Sequence, residues 1–508
     1  MNMKKVFLIN FSSQILINVA NNLKANGSEI VYWQGYRDDF DHMDRSEHPE
    51  TIFHHAFDAI KNISPEGVDV SEFEPVSHEL VSRLYESGWQ ALAMMSRADH
   101  ADSVFTEKRN YYYQYLKFWQ GMLKRLKPDV IVFSAIPHSA TSHVLYALAK
   151  LMNIETIMIN QLTIETRALL MTDYQTDSAA LRDEVKKHRS AKIGIDTLSL
   201  DLKTYYLNHL DPAIDSTPQY KKVYAKSKMP FAFPSVPTII KHLYRLTFFN
   251  VARSYLTMIL TKRKMSHIGP VLRGQSYKSK IKKWKKEIEC VKKEYEALQQ
   301  QPDLNKKFVY LPLSFQPEQT TCPRGDVFDD QLLMIDIISA SLPEGWVLYI
   351  KEHAPQWYPK SIEAYQYRYQ GYYERIACMK NTMLIPVTTS TFDLIERAQA
   401  IATVTGTAGW ESLIRSKPVL LFGYIWYMYC DGVFQVQDAT SCARAFEEIC
   451  TGYRVESQKV INFLAALDLV SLKIKNYKTR FFVESDGITF DDNVRALTNG
   501  ISNMINNS

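Results

Sequence analysis

Strand–helix–strand units recur in both halves of this chain and predict an α/β protein built on two Rossmann-like parallel sheets facing a cleft, with helical insertions. Three observations carry the prediction. Short apolar runs of strand length alternate with helix-length amphipathic segments, the pattern of strands buried on both faces. The units cluster at the start of the chain and again after residue 306, with a long stretch lacking strand signals between them. A length of 508 residues also exceeds what one ordinary core fills, so about two domains plus insertions are expected.

In chain order, Val6 to Ile9 reads as a buried strand, Ile15 to Ala25 as a helix ended by Gly27, and Glu29 to Trp33 as a second strand. The unit recurs at Pro128 to Phe133, which runs into Ile136-Pro-His-Ser139, a helix over Thr141 to Leu151 and a strand over Thr156 to Ile159. Residues 45 to 125 read as largely helical. Their aromatic run Tyr111 to Trp119 either covers one side of the sheet or forms an acceptor-facing insertion. Residues 1–174 thus form an N-terminal domain. Residues 175–305 show no strand signal and are a helical insertion with turn clusters at Asp211-Pro212 and Met229 to Pro234. Within them, Ile239 to Leu260 is apolar and aromatic with Lys241, Arg245 and Arg253 interleaved, and a lysine-rich helix follows over about Lys278 to Leu298. This pair either rests on an anionic membrane surface or is an ordinary helical pair with a solvated face. A second domain, 306–480, opens with the strand Lys307 to Leu311. It continues through a helix over Asp330 to Ser341 and strands Trp346 to Ile350, Thr382 to Ile385, Ala400 to Val404 and Pro418 to Phe422, with helices Phe392 to Arg397 and Trp410 to Arg415 between. Residues 481–508 read as a helical tail.

Composition bounds the function. With 46% hydrophobic and 23% charged residues the chain is a folded globular one. Its six cysteines include no CxxC pair and no His/Cys cluster at ligand spacing, so they read as reduced thiols. The apolar run at the N-terminus is too short for a signal sequence, and no stretch approaches the roughly 20 apolar residues of a spanning helix. A cytoplasmic location is expected, with any membrane contact peripheral. The net charge is only +5, and the lysine run lacks a reader fold, so no nucleic-acid partner is expected.

The chemistry-bearing segments fall where strands end, which is where ligands sit in parallel sheets. In the block Ala402 to Gly423, the small residues Thr405, Gly406, Thr407, Ala408 and Gly409 let backbone N–H groups at a helix start approach a phosphate, or serve only close strand-to-helix packing. Glu411 follows in the first helical turn, suited to a ribose diol or to the helix dipole. Val347 to His353 delivers Lys351, Glu352 and His353 to a strand end, where cations neutralise a departing phosphate. Leu313-Ser-Phe-Gln-Pro-Glu318 offers Glu318, which orients a base or a lysine, or caps a turn. In the N-terminal domain His138 opens a helix as a proton carrier or acceptor contact, while Glu165 and Arg167 lie on a loop after a strand. Glu165 is a base or nucleophile candidate and Arg167 an acceptor contact; a surface salt bridge between the two is the plain alternative.

The stretch Pro137-His-Ser to Lys150, the SFQPE segment, the LYIKEH strand and the GTAGWESLIRSKPVLLFG block, in that order, resemble the bacterial capsular polysaccharide synthesis family. The resemblance is fairly specific over about 307–437 and shorter in the N-terminal half. It implies a GT-B glycosyltransferase, with transferases of CMP-activated Kdo or related nonulosonic acids among its members. The donor nucleotide would lie in the C-terminal domain on Lys351, His353, Thr405, Gly406, Thr407 and Glu411, and the acceptor, a glycan or lipid-linked glycan, in the N-terminal domain. Ser390, Thr391 and Arg167 would suit the carboxylate of a keto-acid sugar. One departure is that Ala354 separates His353 from Pro355, where the family often has the two adjacent. No acidic pair sits in a metal-binding context, so neither metal nor cofactor is expected beyond the nucleotide sugar as substrate. A UDP- or GDP-sugar donor, a sugar-nucleotide epimerase and a non-catalytic assembly protein are the alternatives.

Overall fold

A computed structural model describes residues 3–96, 103–211, 277–316, 318, 320–357, 367–479, 482 and 484–507. The first sheet begins with β1 (Lys4–Ile9), β2 (Ser28–Gly35), β3 (Ile52–His55), β4 (Val130–Phe133), β5 (Glu155–Gln161) and β6 (Arg167–Met171). The second contains β7 (Phe308–Pro312), β8 (Val347–Lys351), β9 (Thr382–Leu384), β10 (Ala400–Thr403), β11 (Val419–Leu421) and β12 (Val433–Gln435). The last strand, β13 (Leu472–Lys473), returns to the first sheet, whose order is β13-β6-β5-β4-β1-β2-β3. The second sheet runs β12-β11-β10-β7-β8-β9 and is parallel throughout. Both are Rossmann-like α/β sheets, the class expected from the sequence.

Alternation along each strand divides the core. Phe7, Ile9, Tyr32, Ile131 and Phe133 pack on one side of the first sheet with helices Tyr85–Met95, Phe105–Leu126 and Ala140–Leu151. Val6, Leu8, Trp33, Val130 and Val132 pack on the other with helices Gln14–Ala25 and Phe490–Asn506. The aromatic run on Phe105–Leu126 is core: Tyr112, Tyr115, Phe118 and Trp119 are buried, and Trp119 donates to Thr141 Oγ1 at 2.9 Å. It therefore covers the sheet.

Several elements differ from the sequence reading. Ile52–His55, inside the stretch expected to be helical, is an edge strand parallel to β2; Phe53 packs on Trp33, and His54 Nδ1 meets the Tyr32 hydroxyl at 2.6 Å. Arg167 is not on a loop but begins β6, which turns back antiparallel to β5. The helix expected from Trp410 starts at Thr407. The chain after residue 471 belongs to the first unit, through β13 and through helix Phe490–Asn506, whose Leu497, Ile501 and Ile505 pack there.

The lysine-rich helix spans Tyr277–Leu298. In its described part Ile288, Val291 and Tyr295 are buried, while Lys285, Lys286, Lys292 and Lys293 are exposed. Lys293 pairs with Glu289 at 3.0 Å and Lys292 with Glu296 at 3.5 Å. The segments Met229 to Pro234 and Ile239 to Leu260 lie outside the described residues. No helix among the described residues is long and apolar enough to cross a membrane. The two sheet units touch directly: Gln90 donates to Asp326 at 2.8 Å, Tyr429 donates to the Thr176 carbonyl at 2.6 Å, and Tyr174 meets Tyr424 edge-on.

Candidate functional site

Strand order in the second sheet reverses between β7 and β10, since β8 and β9 lie to one side of β7 and β10 to β12 to the other. At such a reversal the loops leaving adjacent strands diverge and open a crevice at the carboxyl ends. The loops after β7, β8 and β10 carry the SFQPE segment, the Lys-Glu-His run and the Thr405 to Gly409 stretch, and contacts join them. Thr405 donates to the Thr320 carbonyl at 3.1 Å, and the Phe315 and His353 rings lie 5.9 Å apart.

Lys351 ends β8 almost entirely covered, at 8% exposure. Its ammonium donates to the Thr389 carbonyl at 2.9 Å and to Thr391 Oγ1 at 2.6 Å, and stands 5.6 Å from the centre of the Tyr310 ring. No carboxylate pairs with it among the described residues. Burial brings its pKa down to about 8, so the charge persists at neutral pH in a place where an anion would relieve it.

Glu352 does not face the crevice; it points into the core at 2% exposure. Its Oε2 accepts from Arg368 Nε at 2.6 Å and from the Tyr373 hydroxyl at 2.5 Å, while Oε1 accepts from the backbone N–H of His353 at 2.7 Å. After His353 the chain makes a 3-10 turn, Ala354–Trp357, which accommodates the residue between His353 and Pro355. In that turn the fully buried Gln356 binds Gln316 twice: Gln316 N donates to its Oε1 at 2.8 Å, and its Nε2 donates to the Gln316 carbonyl at 2.7 Å. Arg368, Tyr373 and Gln356 were missed in the sequence because nothing in local periodicity marks a polar residue that becomes the partner of a buried carboxylate or amide.

The small-residue loop serves packing as well as access. Gly406 N donates to Thr403 Oγ1 at 2.9 Å, and a Cβ there would sit 2.6 Å from that oxygen. A Cβ on Gly409 would collide with the Tyr427 hydroxyl, which donates to the Gly406 carbonyl at 2.6 Å. Helix Thr407–Ile414 therefore approaches the sheet as closely as its backbone allows, and the N–H groups of Thr407 and Ala408 in its first turn have no intrahelical acceptor. Glu411 falls in the second turn, a correction to its expected place. Its charge is felt by Tyr205, whose hydroxyl burial pushes above its ordinary range, and by Arg415. Ser390 caps helix Thr391–Arg397, accepting from Asp393 N at 3.2 Å, and is exposed. Glu318 is half-buried, with its carbonyl accepting from Thr321 Oγ1 at 3.2 Å.

The first-unit candidates separate. His138 is half-buried ahead of helix Ala140–Leu151, with Nδ1 2.7 Å from the Ile136 carbonyl. Glu165 is exposed on the β5–β6 turn and pairs with Lys475 at 3.6 Å rather than with Arg167. Arg167 is fully buried, and its guanidinium is occupied by Asp201 and Asp468 at 2.8 and 2.9 Å, Ser199 at 2.5 Å and Ser471 at 3.1 Å. Five donors in a fixed fork, met by two carboxylates and two hydroxyls, leave nothing for an acceptor sugar; Arg167 locks β6 to the segments at 199–201 and 468–471. No group of His, Cys, Asp and Glu that could hold a metal ion occurs among the described residues.

Fold and strand-end loops together define an α/β protein with two Rossmann-like units, the second carrying Lys351, His353 and the start of helix Thr407–Ile414 at or after the ends of its strands. Residues 253–444 match the model of a family described as capsule polysaccharide biosynthesis proteins, a stretch that takes in all six strands of the second sheet. No curated protein matches the chain. Among solved structures it is similar to the KpsC beta Kdo 2,7 transferase of Thermosulfurimonas dismutans, at 12% identity over 75% of this chain and 88% of that one, with a TM-score of 0.29. It is also similar to the UDP-GlcNAc 2-epimerase of Neisseria meningitidis, at 10% identity over 99% and 100% of the two chains, TM-score 0.26. A glycosyltransferase of Rickettsia africae aligns at 9% identity over the whole of both chains, TM-score 0.24.

Proposed function

We propose that the protein is a glycosyltransferase of capsule or surface polysaccharide synthesis whose donor is a CMP-activated nonulosonic acid or Kdo. The observation that carries this reading is a coincidence of place. The stretch matching the capsule-biosynthesis family is the one whose strands end in or are followed by Lys351, His353 and the Thr407 helix start, near the point where the strand order reverses.

In this reading the phosphate of the donor lies between the Lys351 ammonium, His353 and the N–H groups of Thr407 and Ala408, with Thr405 and Gly406 shaping the approach. Glu411 accepts from the ribose, and the hydroxyls of Ser390 and Thr391 meet the sugar carboxylate. An acceptor hydroxyl brought by the first unit attacks the anomeric carbon; the bond from that carbon to the phosphate oxygen breaks, and CMP leaves with the electron pair. Glu318, Glu165 or His138 takes the hydroxyl proton. The lysine and the helix dipole stabilise the departing phosphate in place of a metal. The exposed lysines of Tyr277–Leu298 suit an anionic inner-membrane surface, where a lipid-linked acceptor would lie and each basic residue contributes about 1 kcal/mol.

Incubating the protein with CMP-Kdo, a CMP-nonulosonic acid and UDP- and GDP-sugars tests this. A transferase releases CMP faster when an acceptor glycan is added. Interconversion of a UDP-sugar without nucleotide release would instead make the protein an epimerase, and no turnover of any donor would point to an assembly protein.

A further inference from the structure

Glu352 and Arg368 form an ion pair with both side chains sealed from solvent, 2.6 Å apart, and no step of the proposed transfer uses either. Such a pair is poor evidence of a stability device, because the cost of removing two charges from water roughly cancels their attraction, and apolar residues of the same shape do as well. What apolar residues could not reproduce is the direction of the remaining contacts. The Glu352 carboxylate receives the backbone N–H of the next residue, His353, at 2.7 Å, and the backbone N–H of Glu352 itself donates to the Tyr295 hydroxyl at 3.1 Å. Arg368 reaches across with Nη2 to the Ser314 carbonyl at 3.3 Å, in the loop after β7. Tyr373 completes the carboxylate's shell. One buried network therefore grips the main chain of the two loops that follow β7 and β8, at Ser314 in the first and at His353 in the second. The Gln316–Gln356 clasp ties the same two loops a few residues further on.

We propose that Glu352, held by Arg368 and Tyr373, is a positioning residue that fixes the backbone of His353 against the loop after β7 and so presents the His353 ring to the nucleotide. The proposal rests on the donor-site reading only for what the ring is presented to; the placement of His353 is independent of it.

The test uses the full-length protein labelled with carbon-13 at the histidine Cε1 positions, with the His353 resonance assigned through His353→Ala. Glu352→Gln keeps the shape and an acceptor for the His353 N–H but removes the charge that holds Arg368. It is expected to move the His353 resonance while leaving those of first-unit histidines such as His48 and His54 in place. Tyr373→Phe removes one hydroxyl from the network without burying an unpaired charge, and is expected to move the same resonance less; it carries the test if Glu352→Gln does not fold. The second readout is CMP affinity. Either substitution is expected to weaken CMP binding, about tenfold for Glu352→Gln, and to have no further effect in a His353→Ala background, because Glu352 acts through that ring. An unmoved His353 resonance in a folded variant overturns the proposal, as does a loss of affinity that multiplies with that of His353→Ala. A shifted resonance in a protein that binds no nucleotide would uphold the positioning role and defeat the donor-site reading.

Discussion

Burial beside Tyr310 and Thr391 brings the Lys351 ammonium to about 8, below its ordinary value, so its charge is present at neutral pH and lost as pH climbs past that point. Two consequences follow with definite signs. CMP affinity should fall as pH rises through about 8, because the site loses its cation; titration calorimetry between pH 6 and 9.5 measures it, and Lys351→Met should bind weakly with little slope. The folded state also binds this proton less tightly than the unfolded chain, so stability from this group increases as pH rises from about 8 to about 10. Lys351→Met should then relieve a penalty of up to about 3 kcal/mol at pH 7, less the two lost hydrogen bonds, and flatten that rise in chemical denaturation. Arg167 carries the opposite expectation. Removing it by Arg167→Ala leaves Asp201 and Asp468 without their partner and should cost about 3–5 kcal/mol in urea unfolding, with nucleotide affinity of the folded protein unchanged. The Asp201 carboxyl, which burial alone would raise, is held well below the usual carboxylate range by Arg167 and Thr166. Its stabilising contribution is thus present above about pH 4 and lost below. Lys351 was legible from the sequence because a strand-end lysine has few places to go. The inward turn of Glu352 was not, because its partner lies sixteen residues on and reaches it only in the folded chain.

At the scale of elements, the buried central strands were plain in the sequence: Val6 to Ile9, Val130 to Phe133, Phe308 to Leu311 and Ala400 to Thr403 are continuous apolar or small runs, as strands covered on both faces must be. The short strands β3, β6 and β13 were not, since a strand of two to five residues owes its state to the neighbours it pairs with rather than to its own pattern. Helix Thr407–Ile414 shows the same division. Its small residues mark a close approach, but only the fold reveals that Gly409 faces the Tyr427 hydroxyl. Gly409→Ala should force the helix start away from β10 and cost about 1–3 kcal/mol by overpacking. Tyr427→Phe, which removes the atom in the way, should recover part of that loss in the double variant; thermal melts of the unaltered protein, the two single variants and the double variant decide it, and simple additivity would count against this packing.

Across the whole molecule, the two sheets are joined through the contacts of Gln90, Tyr174 and Thr176 with the second unit, through the core that Leu162, Leu169 and Leu202 share with Trp410, Leu413 and Leu421, and by the chain's return after residue 471. A protein ending at residue 470 would lack Ile474, Tyr477, Leu497, Ile501 and Ile505, all buried against the first unit. It should lose its cooperative melting transition and bind a hydrophobic dye; retention of a sharp melt would mean that the return is dispensable. The domain division read from the sequence placed this segment with the second unit and in a separate tail, because proximity along the chain is the only guide a sequence offers. The claim on which the functional reading depends is that the crevice between β7 and β10 holds the donor nucleotide, and thermal shift with CMP tests it most directly. CMP at about 100 times its dissociation constant should stabilise the protein by about 2.7 kcal/mol, more than UDP or GDP at the same concentration, and His353→Ala and Lys351→Met should each diminish that shift. A CMP shift left intact by both substitutions, or none in the unaltered protein, would contradict the account.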